Sequence, residues 1–447
     1  MRICAFEYRY GSEEMKRILS IDNLVEKMCI VEAALTRALS KFANAPSKCY
    51  EEVLSLCKEI DYNDILKLEH KTGHELYSLT KILSSKVSSE CRKYIHLGYT
   101  SNDVIDTAWA LVIRDAILLI KKKLSMVIRR LIEYSVEYRD VVAIGRTHGQ
   151  HALPITIGFK LANYVYELAR SYERIKDCEK RVVKGKIAGA VGTMAAWGDL
   201  GISIQNEILA HLGLKPHEIS TQVAPRDGFA ELACMIAILA SQLDRLALEF
   251  RELSRTEIRE VEFEPNRIGS STMPHKVNPV IAERISGLAR VVRGFCLPML
   301  ENIVLMHERD LTNSSCERIV VPHILLTIDQ MLDDTQKMLS TLRFNLDKIR
   351  ENVGLTRNLI MSECLVVKLV LDKGLARDEA YNIVREVSIR AYKEGIDLIK
   401  AFMKSRYSKL LSKEDLEFCS EPRNYLGSYK ELIKRAINYA EKVIQGG

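Results

Sequence analysis

The sequence has no hydrophobic run long enough to cross a membrane. Its longest apolar stretch worth testing, Leu232 to Ala240, is far short of the roughly 20 residues that a spanning helix needs. The first fourteen residues already carry several charged side chains, among them Arg2, Glu7 and Arg9, so they do not resemble a secretory signal. We therefore expect a cytoplasmic protein without a membrane partner.

Cysteine motifs are also missing. Eleven cysteines are scattered along the chain, and none of them forms a Cys-x-x-Cys pair. This spacing argues against a zinc site and against a small disulfide scaffold. We expect most of the cysteines to be free thiols, although the disulfide-rich cytosols of hyperthermophiles leave the alternative open.

No block of basic residues interleaved with aromatic residues is present. The net charge of +6 comes from 65 Lys and Arg against 59 Asp and Glu, spread along the chain. This distribution argues against a nucleic-acid partner. A modest cationic surplus instead suits a small anionic substrate.

Prolines are few, and none lies between Pro46 and Pro154. Within this gap, the sequence TSND at 100–103 offers capping side chains, and apolar residues then recur every three or four positions as far as Leu131. The pattern predicts one helix of about 35 residues. A second long helix is predicted to begin near Asp227, with one stripe of large apolar residues and one stripe of alanines. Such a helix belongs in a bundle interior, either as an ordinary buried helix or in a bundle that crosses subunits.

No region shows the alternation of apolar and polar residues that is typical of strands. The chain is therefore predicted to be all-α. We expect an N-terminal helical domain (1–100), a central long-helix domain (101–340) and a C-terminal helical domain (341–447).

The stretch IGSSTMPHKVNPV at 268–280 combines two serines, a lysine and an asparagine with two prolines. It lacks the second glycine of a phosphate-binding P-loop and the Gly-x-Ser-x-Gly pattern of hydrolases. An ordinary polar turn and a functional loop both fit these residues.

Three further polar stretches contain histidines. GRTHGQHALPITIG at 145–158 places His148 near His151, but no other Cys or His cluster completes a metal site, so a proton-transfer role is favoured and no metal is expected. HLGYTSND at 96–103 fits either an anion site or a plain helix cap. HKTGHEL at 70–76 has two histidines four residues apart, and they fit histidines on a solvated surface.

Together these stretches resemble the fumarase/aspartase lyase superfamily over essentially the whole chain. YTSNDVIDTA, GRTHGQHALP and GSSTMPHKVNP are similar to its three signature regions, in the same order and separation. Within the superfamily, RYGSEEMKRILS, KTGHEL and HERDLTNSSCER resemble the adenylosuccinate lyase family. The resemblance implies an all-α homotetramer with a twenty-helix core, in which three subunits build each active site.

The resemblance also implies a reaction without a cofactor, the β-elimination of fumarate from adenylosuccinate, giving AMP. The same elimination from succinylaminoimidazole carboxamide ribotide gives aminoimidazole carboxamide ribotide. Ser270, on a mobile loop at 266–280, matches the general base, and His148 matches the general acid. Lys276 and Asn278 match groups that stabilise the carbanion. Glu283 matches the carboxylate that orients His148.

The remaining matches concern binding. His74 matches a residue that either binds the phosphate or tunes His148, and the role of His96 is left open. Contacts to the phosphate and nucleotide are implied for Arg9, Tyr10, Arg309, Ser314 and Arg318, and contacts to the succinyl part for Thr100, Ser101, Gln222 and Ser271. Rival interpretations are an argininosuccinate lyase, a carboxymuconate cycloisomerase, or a non-catalytic bundle like the lens crystallins of this superfamily.

Overall fold

Helices form nearly all of the regular structure in the computed structural model, which describes residues 3–263, 273 and 275–445. In chain order the α-helices are α1 (Glu13–Leu19), α2 (Ile21–Phe42), α3 (Lys48–Leu56), α4 (Tyr62–Thr72), α5 (Glu75–Lys86), α6 (Ser101–Glu137), α7 (Ile157–Val182), α8 (Gly201–His211), α9 (Asp227–Leu253), α10 (Val280–Gly294), α11 (Cys296–Glu301), α12 (Thr312–Thr341), α13 (Leu346–Gly354), α14 (Ser362–Leu371), α15 (Arg377–Glu394), α16 (Leu398–Met403), α17 (Lys413–Ser420) and α18 (Tyr429–Gln445). The prediction of an all-α fold is confirmed.

Both predicted long helices are present. α6 begins at Ser101, inside the TSND sequence, and its 37 residues correspond to a length of about 55 Å. α9 begins at Asp227, and both of its stripes are buried within the chain. The large apolar residues of the first stripe are at most 4% exposed, and the alanines of the second are at most 9% exposed. The first stripe consists of Leu232, Ile236, Leu239, Leu243, Leu246, Phe250 and Leu253. The prediction of a buried helix is confirmed, while a bundle that crosses subunits stays a prediction.

Within the described residues, three two-stranded sheets interrupt the helices. β1 (Val142–Thr147) pairs antiparallel with β2 (Gln150–Thr156), β3 (Lys184–Gly185) pairs parallel with β4 (Lys215–Pro216), and β5 (Val261–Phe263) pairs antiparallel with β6 (Leu342–Phe344). These strands have two to seven residues. Most are too short to produce the alternation by which strands are recognised in a sequence.

Six of the eleven cysteines form disulfides, so the expectation that most are free thiols is wrong. The partners have Cα atoms 5.2 to 5.8 Å apart and are Cys29–Cys57, Cys49–Cys91 and Cys364–Cys419. They lie 28, 42 and 55 residues apart along the chain. Because tertiary packing brings such distant cysteines together, their spacing in the sequence carries no signal.

The chain divides into two compact units, each assembled from three stretches. Unit 1 comprises Met1–Leu124, Ser171–Leu243 and Gly287–Asp333, and α2 to α6 and α8 supply a hydrophobic core in it. Unit 2 comprises Ser125–Arg170, Asp244–Ser286 and Asp334–Gly447, and α14 to α17 form a core there. The division into three domains stays a prediction. Among the described helices, none combines the length and the apolar character needed to cross a membrane.

Candidate active site

His74 caps the N-terminus of α5 in unit 1. Its Nδ1 accepts a hydrogen bond from the Tyr77 N–H at 3.2 Å, and its Nε2 lies 3.2 Å from Ser101 Oγ. Because Nδ1 acts as an acceptor, the neutral ring carries its proton on Nε2 and donates it to Ser101. The preceding Gly73, with φ of +70°, ends α4 in the left-handed conformation that glycine adopts without strain. Two predicted site residues are thus in direct contact.

A buried carboxylate fixes the start of α6 beside Ser101. Asp103 accepts hydrogen bonds from the N–H groups of Thr100 and Ala188, both at 2.7 Å. The Lys186 Nζ donates to the same carboxylate at 2.7 Å, and neither side chain is exposed. Burial lowers the pKa of Lys186, and the charge of Asp103 opposes this. Removing one partner of such a pair leaves an uncompensated buried charge.

His96 precedes this helix start and is held by a buried glutamate. Its Nδ1 lies 2.6 Å from Glu32 Oε1, and its backbone N–H donates to Glu32 Oε2 at 3.1 Å. Burial lowers the pKa of His96, but the hydrogen bond and the negative charge of Glu32 outweigh burial, so the pKa is raised overall. The arrangement therefore favours a charged imidazole.

A pocket of about 290 Å³ opens in unit 1 beside the start of α12. Three of the predicted nucleotide contacts, Arg309, Ser314 and Arg318, line it. Met28 and Trp109 contribute to an apolar part of its wall. The pocket thus combines cations, carboxylates and a hydroxyl with a surface suited to a flat, uncharged group.

Two hydrogen bonds connect further predicted residues to this pocket. Arg309 Nη1 donates to Gln222 Oε1 at 2.9 Å. Arg318 Nη2 donates to Glu75 Oε2 at 2.7 Å, and Glu75 directly follows His74. Burial raises the pKa of Glu75, and the charge of Arg318 opposes that shift. The structure therefore gathers these predicted residues in one region of unit 1: His74, Thr100, Ser101, Gln222, Arg309, Ser314 and Arg318.

Arg9 and Tyr10 lie in the N-terminal segment of unit 1. The Arg9 guanidinium is 5.9 Å from the centre of the Tyr10 ring. The next two residues tie the segment to α12, since the Gly11 N–H donates to Gln330 Oε1 at 2.9 Å and the Ser12 N–H to Asp329 Oδ2 at 2.8 Å. Within the described part of unit 1, neither Arg9 nor Tyr10 lines the pocket.

His148 lies at the tip of the β1–β2 hairpin in unit 2, and its side chain is exposed. Thr147 pairs with Gln150, which leaves a two-residue turn. His148 has φ of +53° and Gly149 has φ of +73°. Two consecutive positive φ angles are typical of a type I′ turn, where histidine is an uncommon first residue. The hairpin turn therefore presents this imidazole to solvent.

Next to its turn, the hairpin is anchored by an ion pair between Arg146 and the fully buried Glu260. Glu260 also accepts a hydrogen bond from Asn352 Nδ2 at 2.8 Å. Burial lowers the pKa of the neighbouring His151, and the positive charge of Arg146 lowers it further. His151 therefore stays neutral, and His148 is the more accessible of the two histidines.

Two further predicted catalytic residues, Lys276 and Glu283, belong to unit 2. Ser270 and Ser271 lie outside the described residues. Lys276 is exposed, Asn278 is half-buried, and Glu283 is exposed in the first turn of α10. Their predicted roles remain predictions.

Three charged residues that also line the pocket, Asp106, Arg226 and Glu317, were not predicted from the sequence. Asp106 accepts from Arg226 Nη2 at 2.7 Å, and Arg226 Nε lies 3.4 Å from Glu317 Oε1. One signal was available, because Asp103 and Asp106 lie three residues apart on a largely apolar helix, and a buried carboxylate needs a partner. The partners lie far away in the sequence, so the pairing itself has no local signal.

No group of three or more His, Cys, Asp or Glu side chains in the described ranges is placed to hold a metal ion.

Family models match most of the chain. Residues 8–294 match a model described as Lyase, and residues 358–436 match the Adenylosuccinate lyase C-terminus. The adenylosuccinate lyase of Pyrococcus abyssi is 42% identical, and that of Archaeoglobus fulgidus is 39% identical, in each case over the full length of both chains. The chain belongs to the adenylosuccinate lyase family. It is therefore a lyase, and the non-catalytic alternative is not supported.

Two solved structures of other enzymes share the fold. The fumarate lyase from Mesorhizobium sp. BNC1 has a TM-score of 0.87 at 28% identity, with full coverage of both chains. The 3-carboxy-cis,cis-muconate lactonizing enzyme from Pseudomonas putida has a TM-score of 0.88 at 27% identity, over 98% of this chain and 99% of that one. These identities are lower than the 42% and 39% found for the two adenylosuccinate lyases. The match of residues 358–436 to the Adenylosuccinate lyase C-terminus also supports membership of that family.

Proposed function

We propose that this member of the adenylosuccinate lyase family releases fumarate from adenylosuccinate, giving AMP, and from succinylaminoimidazole carboxamide ribotide, giving aminoimidazole carboxamide ribotide. The observation that carries the proposal is the pocket lined by Arg309, Ser314 and Arg318. Both substrates carry a phosphate and two carboxylates, which arginine binds in bidentate geometry. Argininosuccinate and carboxymuconate lack the phosphate, so an enzyme that acts on them does not need this set of phosphate-binding residues.

The elimination needs a base, stabilising donors and an acid. Ser270 removes the proton from the carbon next to a carboxylate, and as an alkoxide it requires nearby positive charge and a site closed to water. Lys276 and Asn278 supply donors to the carboxylate on which the carbanion is delocalised. Loop closure brings base and donors in together. His148 gives its proton to the departing nitrogen as the C–N bond breaks, and Glu283 orients the imidazole.

The contacts of His74 support a role at the phosphate or beside His148. Its position at the N-terminus of α5 adds the positive end of a helix dipole, which favours an anion. Its bond to Ser101 orders the segment that, with Thr100, Gln222 and Ser271, contacts the succinyl group in this proposal. Arg9 and Tyr10 complete the nucleotide contacts.

We propose a cytoplasmic homotetramer with a twenty-helix core, in which three subunits complete each active site. Several apolar side chains on the long helices are exposed in the single chain and need a covering surface. They are 37% to 59% exposed and include Leu118, Met126, Ile238, Leu248 and Ile319.

The experiment that tests the reaction is an ultraviolet assay of the purified protein with adenylosuccinate, beside argininosuccinate as the control. We expect an absorbance change with adenylosuccinate alone. No change with adenylosuccinate, or turnover of argininosuccinate at a comparable rate, contradicts the proposal. Mixing two inactive variants, Ser270→Ala and His148→Ala, tests the shared site. Restored activity supports active sites built from several subunits, and failure to regain any activity argues against them.

A further inference from the structure

Three ionic side chains that line the pocket of unit 1 form one cluster, which consists of Asp106, Arg226 and Glu317. Asp106 and Arg226 are each 4% exposed, and the Glu317 side chain is 15% exposed. Arg226 Nη2 donates to Asp106 Oδ1 at 2.7 Å, and Arg226 Nε lies 3.4 Å from Glu317 Oε1. Asp106 also accepts from the Ala224 N–H at 2.8 Å. The cluster therefore contains one cation between two carboxylates.

Each member lies close in sequence to a residue that we propose as a substrate contact. Asp106 lies five residues after Ser101 on α6. Arg226 lies four residues after Gln222. The third member, Glu317, lies in the first turns of α12 between Ser314 and Arg318. One guanidinium thus joins three segments that are distant in sequence, and each of them carries part of the proposed binding surface.

Charge decides between two roles for Arg226. Its Nε and Nη1 have no hydrogen-bond partner in the described structure, and it lines the pocket, which suits a direct contact to an anion. However, two carboxylates already face it within 3.4 Å. A phosphate or carboxylate placed on Arg226 is repelled by both of them. The surroundings therefore favour a role in holding the segments together.

We propose that Asp106, Arg226 and Glu317 are positioning residues that set the spacing of the substrate contacts and so determine how tightly the substrate binds. The inference rests on the proposed function. Ser101, Gln222 and Ser314 act on the substrate in the ground state as well as in the transition state. Loosening their relative positions therefore raises KM more than it lowers kcat.

The test uses the isosteric variants Asp106→Asn and Glu317→Gln, each of which removes one negative charge from the cluster. With adenylosuccinate we expect KM to rise about tenfold or more and kcat to stay within about threefold of the wild type. The control is Glu207→Gln. Glu207 also faces two cations, Arg37 and Lys41, and its side chain is 19% exposed, but it belongs to no part of the proposed site. We expect its KM to be unchanged.

The split between KM and kcat separates positioning from a purely structural role. A structural defect lowers the fraction of folded enzyme, and with it the apparent kcat and Tm, but leaves KM unchanged because KM does not depend on enzyme concentration. The variant Glu317→Asp keeps the charge, and we expect it to recover much of the affinity. If Asp106→Asn does not fold, the two Glu317 variants still distinguish a positioning role from a purely structural one.

A KM for Glu317→Gln within about twofold of the wild type overturns the inference. So does a KM for Glu207→Gln that rises as much as that of the site variants. Wild-type protein that does not turn over adenylosuccinate contradicts the proposed function instead. An active wild type with unaffected variants contradicts only the positioning role.

Discussion

Reducing the Cys364–Cys419 disulfide is expected to destabilise the C-terminal part of unit 2. The bond joins α14 to α17 within one hydrophobic core, and the two cysteines are 1% and 0% exposed. It closes a loop of 55 residues. In the chain-entropy model, such a loop restricts the unfolded state by about 14 cal/mol/K, which corresponds to about 4 kcal/mol at 25 °C.

This loss translates into a measurable temperature shift. A domain of roughly 150–250 residues moves its Tm by about 2–4 °C for each kcal/mol, so the expected decrease is about 8–16 °C. The same model gives about 3.6 and 3.9 kcal/mol for the other two disulfides. Their loops overlap between Cys49 and Cys57, so these two contributions do not add.

The assay is differential scanning calorimetry of the wild type and of a Cys364→Ala, Cys419→Ala variant, each with and without a phosphine reductant. The alanines leave small cavities in the core, but comparing each protein with its own reduced form removes that effect. We expect reduction to lower the Tm of the wild type by more than that of the variant. Equal shifts in the two proteins, after thiol titration has verified complete reduction, would refute the reasoning.

Three further predictions concern single residues. Ser270→Ala and His148→Ala should each lower kcat by at least about 10²-fold with an unchanged circular-dichroism spectrum; near-normal turnover in either variant contradicts its assigned role. Since the pKa of His96 is raised in the folded state, its stabilising contribution is full below about pH 6.5 and is lost as pH rises through the raised value. The Tm deficit of His96→Asn should therefore be larger at pH 6 than at pH 9, and a deficit independent of pH counts against the ion pair with Glu32. Lys186→Met should cost about 3–5 kcal/mol in chemical unfolding because it strands a buried Asp103; a cost below about 1 kcal/mol contradicts this.

Much of the fold was predictable because helix periodicity and capping are local signals. The start of α6 at Ser101 and of α9 at Asp227 follow from a TSND cap, a preceding Pro225 and apolar residues at intervals of three and four. The β1–β2 hairpin was not predicted, since its turn uses His148 at a position where asparagine or glycine is usual. The disulfides were not predicted either, because their partners meet only in the folded chain.

The candidate site was predictable to the extent that its residues lie in recognisable motifs. Arg309, Ser314 and Arg318 share one short stretch, and the structure places all three around one pocket. The pairing of the buried charges in the wall of that pocket was not predictable in the same way. Asp106 and Arg226 are separated by 120 residues, and no local pattern specifies which buried carboxylate meets which guanidinium.

The ion pair between Arg318 and Glu75 predicts proton uptake when a phosphate binds. In the free chain Arg318 holds the Glu75 carboxylate at 2.7 Å, while burial already raises the pKa of Glu75. A phosphate that binds Arg318 in place of Glu75 removes the positive charge that lowers the pKa of Glu75, and it adds negative charge nearby. The pKa of Glu75 therefore rises further, and a larger fraction of Glu75 becomes protonated. Calorimetric titration with AMP in two buffers of different ionisation enthalpy measures the uptake. The phosphate's own ionisation near pH 6 is common to the wild type and Glu75→Gln, so their difference isolates Glu75. Equal proton uptake in the two proteins contradicts the exchange of partners at Arg318.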